Sequence, residues 1–376
     1  MTTIRLNLLR NEWQNKVMNL NDTQIHCLWN STREEATTLK FWDRFCDLFR
    51  PEKKAEVLAA AWDFIHTEDR RGQHCIEKKI DEFMRLRNLS DAPDQFVTAL
   101  SIDKDKNCVT AEFKINTESV GNESYTFSTQ NEMKHWFFYN NTTDKKTIVV
   151  SAVKNGFDLN NIRLSHTDLF RAELANGELE NAILINTILV RANLTNAKLA
   201  ESNLHGAFLN EATLNRADLT NTTMTYAYLQ DAYLQDAYLQ DAHLEFAKLK
   251  HAHLDRARLD RARLDHAKLK DTHLEDASLI DAVLIDADLR NAHLEDAWLI
   301  NAVLTGANLS SANLNRCRLA GTDLRGANLS NVNLFNADLT EAKMRGATYN
   351  DELLTKNNIQ KYFPDALNLG SIDWVS

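Results

Sequence analysis

The stretch AYLQDAYLQDAYLQDAHLEFAKLKHAHLDRARLDRARLDHAKLK, Ala227 to Lys270, repeats every five residues. That period matches neither the 3.6 of an α-helix nor the 2.0 of a β-strand, so the segment has to be read as a repeat before local propensity is consulted. Followed outward, the register holds from Leu159 to Met344, 38 consecutive positions that are all leucine except Met224 and Met344. Two residues before each runs a second column, alanine at 27 of the 38 places and mostly Gly, Ser, Thr, Cys or Val at the others. One large and one small apolar residue per repeat therefore point inward. The other three, mostly Asp, Asn, Arg, Lys, Gln, Glu and Thr, face water. Five residues make one side of a narrow, filled tube. YLQDA, three times over Tyr228 to Ala242, and RARLD, twice from Arg256, read as recent duplications.

This pattern resembles the pentapeptide-repeat family, A(D/N)LXX, as in Ala217-Asp218-Leu219 and Ala307-Asn308-Leu309. The resemblance implies a mainly β fold, a right-handed quadrilateral β-helix of four pentapeptides per coil over residues 156–348. By the arithmetic 38/4 the chain makes 9.5 coils, and at about 4.8 Å per coil the rod is roughly 45 Å long. Backbone groups would pair with the coils above and below, and residues twenty apart would stack.

The chain of 376 residues carries a formal charge of −10, and residues 156–345 hold 26 acids and 19 bases, a mildly acidic and strongly mixed surface. The five cysteines, Cys27, Cys46, Cys75, Cys108 and Cys317, form neither a CxxC pair nor a metal-ligand spacing, which points to a reduced compartment. No run of eighteen apolar residues spans a membrane, and the N-terminus lacks the basic-then-apolar pattern of a cleaved secretory signal.

Residues 1–155 read as a separate α+β domain. Pro51 suits the first turn before Val57-Leu58-Ala61-Trp62-Ile65, and Ile76-Ile80-Phe83-Met84 has helical spacing. Phe96-Val97-Leu100, Val109-Ala111-Phe113, Tyr125-Phe127 and Ile148-Val149-Val150 read as short β runs. This domain is expected to cap the open first coil. Residues 42–49, Trp-Asp-Arg-Phe-Cys-Asp-Leu-Phe, are similar to the WEKIxxFF element near the start of many Salmonella type III effectors. Trp42 and Phe49 are kept, while Asp43, Arg44, Phe45 and Leu48 stand for Glu, Lys, Ile and Phe. The plain alternative is an amphipathic helix with Trp42, Phe45 and Phe49 on one stripe. The layout, a helical start, a short β-rich section and a pentapeptide rod, resembles PipB-type effectors. That resemblance implies delivery through a type III apparatus and residence on host vacuolar membranes, with recruitment of a kinesin motor in view.

Stacking by twenty assembles the rod's outer faces. Lys248, Lys250, Lys268, Lys270 and Arg290 form a cationic strip that could meet an anionic lipid surface; the competing reading is a solvated face neutralised by Asp231, Asp271 and Asp288. Nearer the N-terminus the same face carries Phe170, Ile188, Val190, Phe208 and Tyr228, for which the N-terminal domain is the expected cover. A second apolar patch joins Ile280, Trp298 and Ile300 on one face to Val283, Ile285 and Val303 on the next. It suits a host-protein partner or a homodimer seam anchored by Trp298, against a reading of scattered surface hydrophobes. His253, His273 and His293 stack about 5 Å apart, close enough in principle to hold a metal; the preferred reading is an exposed ladder whose imidazoles point outward in parallel, so no metal is expected there.

The tail, residues 349–376, offers a short helix at Glu352 to Lys361 and then Pro364, and is expected to cap the last coil. Ile372-Asp373-Trp374 is similar to half of the tryptophan-acidic motif that binds kinesin light chain, with Val375 where an acid is usual. The other reading buries Trp374 under the last coil. No Gly-rich phosphate loop, GxSxG elbow or HExxH is present, so neither enzyme activity nor a cofactor is expected. The expected function is a non-enzymatic effector scaffold. The alternatives are a DNA-mimicking topoisomerase binder, against which the cationic strip counts, or a scaffold of the bacterial cytoplasm. No nucleic-acid partner is expected.

Overall fold

Each pentapeptide forms one short straight stretch and one tight turn. The turn runs from a column leucine to the small residue three places on, whose amide donates to the leucine carbonyl, as in Ile162 N to Leu159 O at 3.1 Å and Ala257 N to Leu254 O at 2.9 Å. Its third residue lies in the left-handed region, with non-glycine corners of the rod between φ 53° at Asn186 and φ 66° at Asn161. Asn, Asp and Gly tolerate that region best, which explains their frequency two places after each leucine. Where Arg256, Tyr226 or Phe246 stands there instead, at φ 57°, 60° and 60°, the coil imposes a strained conformation on it.

Coil-to-coil bonding is parallel and regular. Isolated bridges join residues twenty apart, from Asp158↔Glu178 to Asn328↔Thr348, so four pentapeptides close one coil. Around one such bridge, Leu164 N donates to Ile183 O at 2.8 Å and Ile183 N donates to Ile162 O at 2.8 Å. The corner amides also pair, Asn161 N to Glu180 O at 2.8 Å, so little of the backbone is left without a partner. The interior holds the two columns. Leu204, Leu264, Ala217 and Ala262 are all buried. Buried threonines that replace alanine are satisfied by carbonyls, unlike the Ser202 hydroxyl: Thr187 Oγ1 donates to Leu164 O at 2.8 Å, Thr272 Oγ1 to Leu249 O at 2.9 Å and Thr322 Oγ1 to Leu299 O at 2.7 Å. Cys317 does the same through Sγ to Leu294 O at 2.8 Å.

The computed structural model describes residues 80–85, 87–88, 96–103, 108–115, 118–126 and 145–375. The chain divides into two compact units, Met1–Asn155 and Gly156–Ser376. The first contains an antiparallel sheet of order β1 (Phe96–Asp103), β2 (Cys108–Ile115) and β3 (Glu118–Thr126), with a register shift at Phe113/Lys114. Val109, Ala111 and Phe113 alternate inward along β2. Phe113 meets Phe83 of the helical residues 80–85, with ring centroids 5.1 Å apart.

The expected β run Ile148-Val149-Val150 is instead part of helix α1 (Lys145–Lys154), which packs beside β1. Its buried residues, Ile148, Val149, Ser151 and Ala152, fall on one helical face. Burial of that face overrides the β propensity of three branched residues. The tail also departs from expectation. Glu352 lies in β5 (Glu352–Leu353), paired with β4 (Thr348–Tyr349), and the helix is a single turn, α2 (Ile359–Tyr362). Leu354, Ile359 and Phe363 are buried in this cap. Two further bridges, Asp338↔Leu367 and Lys343↔Asp373, lay the tail along the last coil.

Candidate interaction surfaces

With Leu and Ala filling the bore, chemistry has only the outer columns to work with. Three per side are available: the bridge residue before each leucine, the residue after it, and the corner. The bridge column Ile188–Phe208–Tyr228–Lys248–Lys268–Asp288 runs straight up one side. Phe208 and Tyr228 stack at 4.9 Å between centroids, and Lys248 Nζ sits 4.1 Å over the Tyr228 ring, so the apolar half of this side passes directly into the cationic half. Lys250 and Lys268 are exposed, and Lys270 Nζ lies 3.8 Å from Asp271. Arg290 is not a free cation: its Nε and Nη2 each donate to the Asp288 carboxylate at 2.7 Å. That clamp holds the Asp288 carboxyl below the usual carboxylate range. The strip is therefore four lysines, partly offset.

The second patch straddles two sides. Trp298 bridges Ser278 and Arg318, while Val303 bridges Val283 and Asp323. Trp298 is 40% exposed and carries the Arg318 guanidinium 4.2 Å over its ring. Ile280, Ile285, Ile300, Val283 and Val303 are all half-buried around it. One indole face is thus covered by a cation and the rest of the patch is open.

A third cluster escaped the sequence analysis. Tyr226 and Phe246 occupy successive corners and stack at 4.9 Å and 3°, with His266 next at 4.8 Å. They are 52% and 42% exposed, and they border the side that bears Phe208 and Tyr228. The signal was available, because twenty-residue stacking applies to the corner column as it does to the other two. On another side, Tyr233, His253, His273 and His293 stack with centroids 5.1, 4.7 and 4.7 Å apart. Ion pairs elsewhere join stacked corners, as in Arg256–Asp236, Arg261–Asp241 and Arg316–Asp296, so the two signs interleave along the rod. An open depression of about 650 Å³ lies over Glu180, Lys198, Arg216, Tyr238, Asp241 and Arg261.

Ile372-Asp373-Trp374 is built into the end of the rod. Asp373 donates its amide to Ala342 O at 2.9 Å and accepts from Met344 N at 3.1 Å, Ile372 is buried and Trp374 is half-buried. The effector-like element Trp42–Phe49 lies outside the described residues. No helix among those residues is long and apolar enough to cross a membrane.

Two families match the chain. Residues 178–348 match pentapeptide repeats, in overlapping copies, and residues 10–122 match Salmonella outer protein D, SopD. The secreted effector protein sopD2 of Salmonella typhimurium is 32% identical over 82 residues, 20% of this chain and 26% of that protein, so the chain spans about a quarter of that relative's length. Among solved structures, the pentapeptide-repeat protein HetL from the cyanobacterium Nostoc is 34% identical over 51% of this chain and 82% of its own, with a TM-score of 0.22. The fluoroquinolone resistance protein QnrB1 is 15% identical over 50% of this chain and 91% of its own, with a TM-score of 0.36. The mainly β repeat fold rests on the coil-to-coil bonding. The chain joins a SopD-like segment to a run of pentapeptide repeats, a layout that fits a Salmonella type III effector.

Proposed function

We propose that this chain is a type III effector that acts inside the host cell by binding rather than by catalysis, as an adaptor held peripherally on a vacuolar membrane. The observation that supports this best is the union of a SopD-like segment, within which Trp42–Phe49 falls, with a long rod whose bore is filled. A filled rod presents flat, rigid faces and no enclosed site, which suits recognition of surfaces. The pentapeptide resemblance adds that the coil is right-handed and four-sided, and the twenty-residue bridging supports four sides. Lys248, Lys250, Lys268 and Lys270, beside Phe208 and Tyr228, are the membrane-facing group, because lysines attract anionic headgroups while aromatic rings settle at the interface. The Trp298 patch is the seat for a host protein or a second copy. Recruitment of a kinesin light chain through Ile372-Asp373-Trp374 requires these residues to leave the coil end, at the cost of the Asp373 pairing.

The test is delivery of the full chain carrying a C-terminal reporter enzyme into host cytosol. Entry through a working type III apparatus, lost on combined Trp42→Ala, Phe45→Ala and Phe49→Ala substitution, is the expected result. Retention in the bacterium while a control effector is delivered refutes the host-adaptor reading. For the membrane arm, Lys→Glu at positions 248, 250, 268 and 270 together is expected to abolish sedimentation with phosphatidylserine vesicles.

A further inference from the structure

The histidine ladder on its own gives parallel rings that do not converge. The structure supplies the converging group from the next column. Glu275 stands two residues after His273, on the far side of Leu274, and its Oε1 lies 3.1 Å from His273 Nδ1 and 4.0 Å from His293 Nδ1. Its other oxygen, Oε2, is buried and accepts no hydrogen bond among the described residues. Glu295, one coil on, has Oε1 3.9 Å from His293 Nδ1, but that oxygen also accepts from Asn313 Nδ2. The inner oxygen is unpaired in the same way at Gln235, Gln240, Glu245, Asp265 and Asn315, so it belongs to this column of the coil; what singles out Glu275 is that its outer oxygen reaches toward two imidazoles. We propose that His273, His293 and Glu275 form a surface site for a divalent transition metal ion of the zinc, nickel or copper class, with Glu295 at its edge.

The ligand chemistry fits. Imidazole nitrogen and one carboxylate are the donors this class of ion takes, and two histidines with one carboxylate leave coordination positions open. One ligand atom from each of His273, Glu275 and His293 lies within 4.8 Å of the others. A tetrahedral ion about 2.1 Å from each ligand sets them about 3.4 Å apart, so the cluster has to close by up to about 1.4 Å and the stacked His273 and His293 rings have to tilt toward one another. Rotation about χ1 and χ2 of these solvent-facing side chains, which unstacks the two rings, has to supply that. The backbone need not move: the bridges His253↔His273↔His293 fix the spacing, and rigid elements make the more precise metal sites. His253 belongs to the same stack and Asp255 holds the place after Leu254 that Glu275 holds after Leu274, but the shorter side chain makes no ion pair with His253 or His273 among the described residues, and His253 is outside the cluster. It serves as the internal control.

The experiment is Zn²⁺ titration of the full-length chain by calorimetry, with Co²⁺ absorption as a second readout of the ligand set. The expected result is one equivalent of Zn²⁺ that His273→Ala and His293→Ala each weaken at least tenfold. Glu275→Gln weakens it several-fold and alters the Co²⁺ spectrum, while His253→Ala leaves it within twofold. The proposal is overturned if no equivalent is lost in the His273 and His293 variants. It is equally overturned if Glu275→Gln binds as the parent does, or if His253→Ala is as damaging as His273→Ala, since either outcome describes general surface adhesion to histidine. Thermal melts of each variant, expected to match the parent, separate loss of a ligand from loss of fold.

Discussion

Leu264→Ala tests the packing of the rod directly. Leu264 is 1% exposed and stacks between Leu244 and Leu284, which are 1% and 0% exposed. Truncation removes three carbons, a transfer loss of about 2.4 kcal/mol at roughly 0.8 kcal/mol per carbon. The void then has little means of closing. Its walls are tied to the neighbouring coils by Leu264 N to Val283 O at 2.6 Å and Val283 N to Ala262 O at 2.9 Å, and its other lining is small alanine. A cavity penalty of about 1–2 kcal/mol therefore adds, for a total of about 3–4 kcal/mol. In a stack where each coil contacts only its neighbours, that loss stays local. Native-state hydrogen exchange of the full chain is the assay. Amides of the coils around Leu244, Leu264 and Leu284 should lose two to three orders of magnitude of protection, at about 1.4 kcal/mol per factor of ten, while those near Leu324 keep theirs. A local loss below about 1 kcal/mol would show that the bore collapses around the gap. A uniform loss along the rod would show that the coils are one cooperative block, and would refute nearest-neighbour additivity.

Three further expectations follow from named groups. Burial pushes the Cys317 thiol far above its ordinary range, so a thiol reagent should leave it unmodified at neutral pH until the chain unfolds; rapid labelling in the native state would contradict its burial. The carboxyls of Asp241, Asp236 and Asp296 are depressed by hydrogen bonds from Arg261, Arg256 and Arg316. A depressed folded pKa contributes stability above the unfolded value of about 3.9 and loses it as pH falls through the folded value, so melting temperature should hold above about pH 5 and decline below about pH 4. Each pair is exposed and worth little alone, so a melting point flat from pH 6 to pH 2 would mean the pairs do not persist in solution. Trp298→Asp should abolish whichever partner or self-association uses the second patch while leaving the melting point within a few degrees; unchanged oligomeric state and unchanged partners would remove the patch from consideration.

The five-residue register was legible because the bore has room for one large and one small side chain per side and for nothing else. Legibility failed where two structures compete for the same residues. Ile148-Val149-Val150 carries a strand's composition, yet the surface it covers is matched by residues one, three and four apart, which only a helix supplies. Glu352 has a helix former's composition but is spent on a two-residue hairpin against Thr348 and Tyr349. Stacking by twenty found the columns and therefore the lysines, the Trp298 patch and the histidines. It could not find groups that meet across one leucine, two residues apart, which is how Glu275 reaches His273, although the neutralised-face reading did name the Asp288 that clamps Arg290. Nor does a list of columns say that a tyrosine and a phenylalanine are held in left-handed corners, since that conformation belongs to the coil and not to the residue.

The triple YLQDA gives the rod a property akin to a combination lock. Tyr228, Tyr233 and Tyr238 stand on three successive sides, as their bridges to Lys248, His253 and Arg258 record. Because one coil uses four such units, gain or loss of a single copy would advance everything beyond residue 242 by a quarter revolution relative to everything before residue 228. The stacked contacts inside would survive, since every unit brings the same leucine and alanine, yet the lysines would no longer continue the column of Phe208. Slippage of a fifteen-nucleotide tract, an ordinary event in repetitive coding sequence, would thus re-phase which surfaces share a side at almost no cost in stability, and only a change of four copies would restore the original alignment.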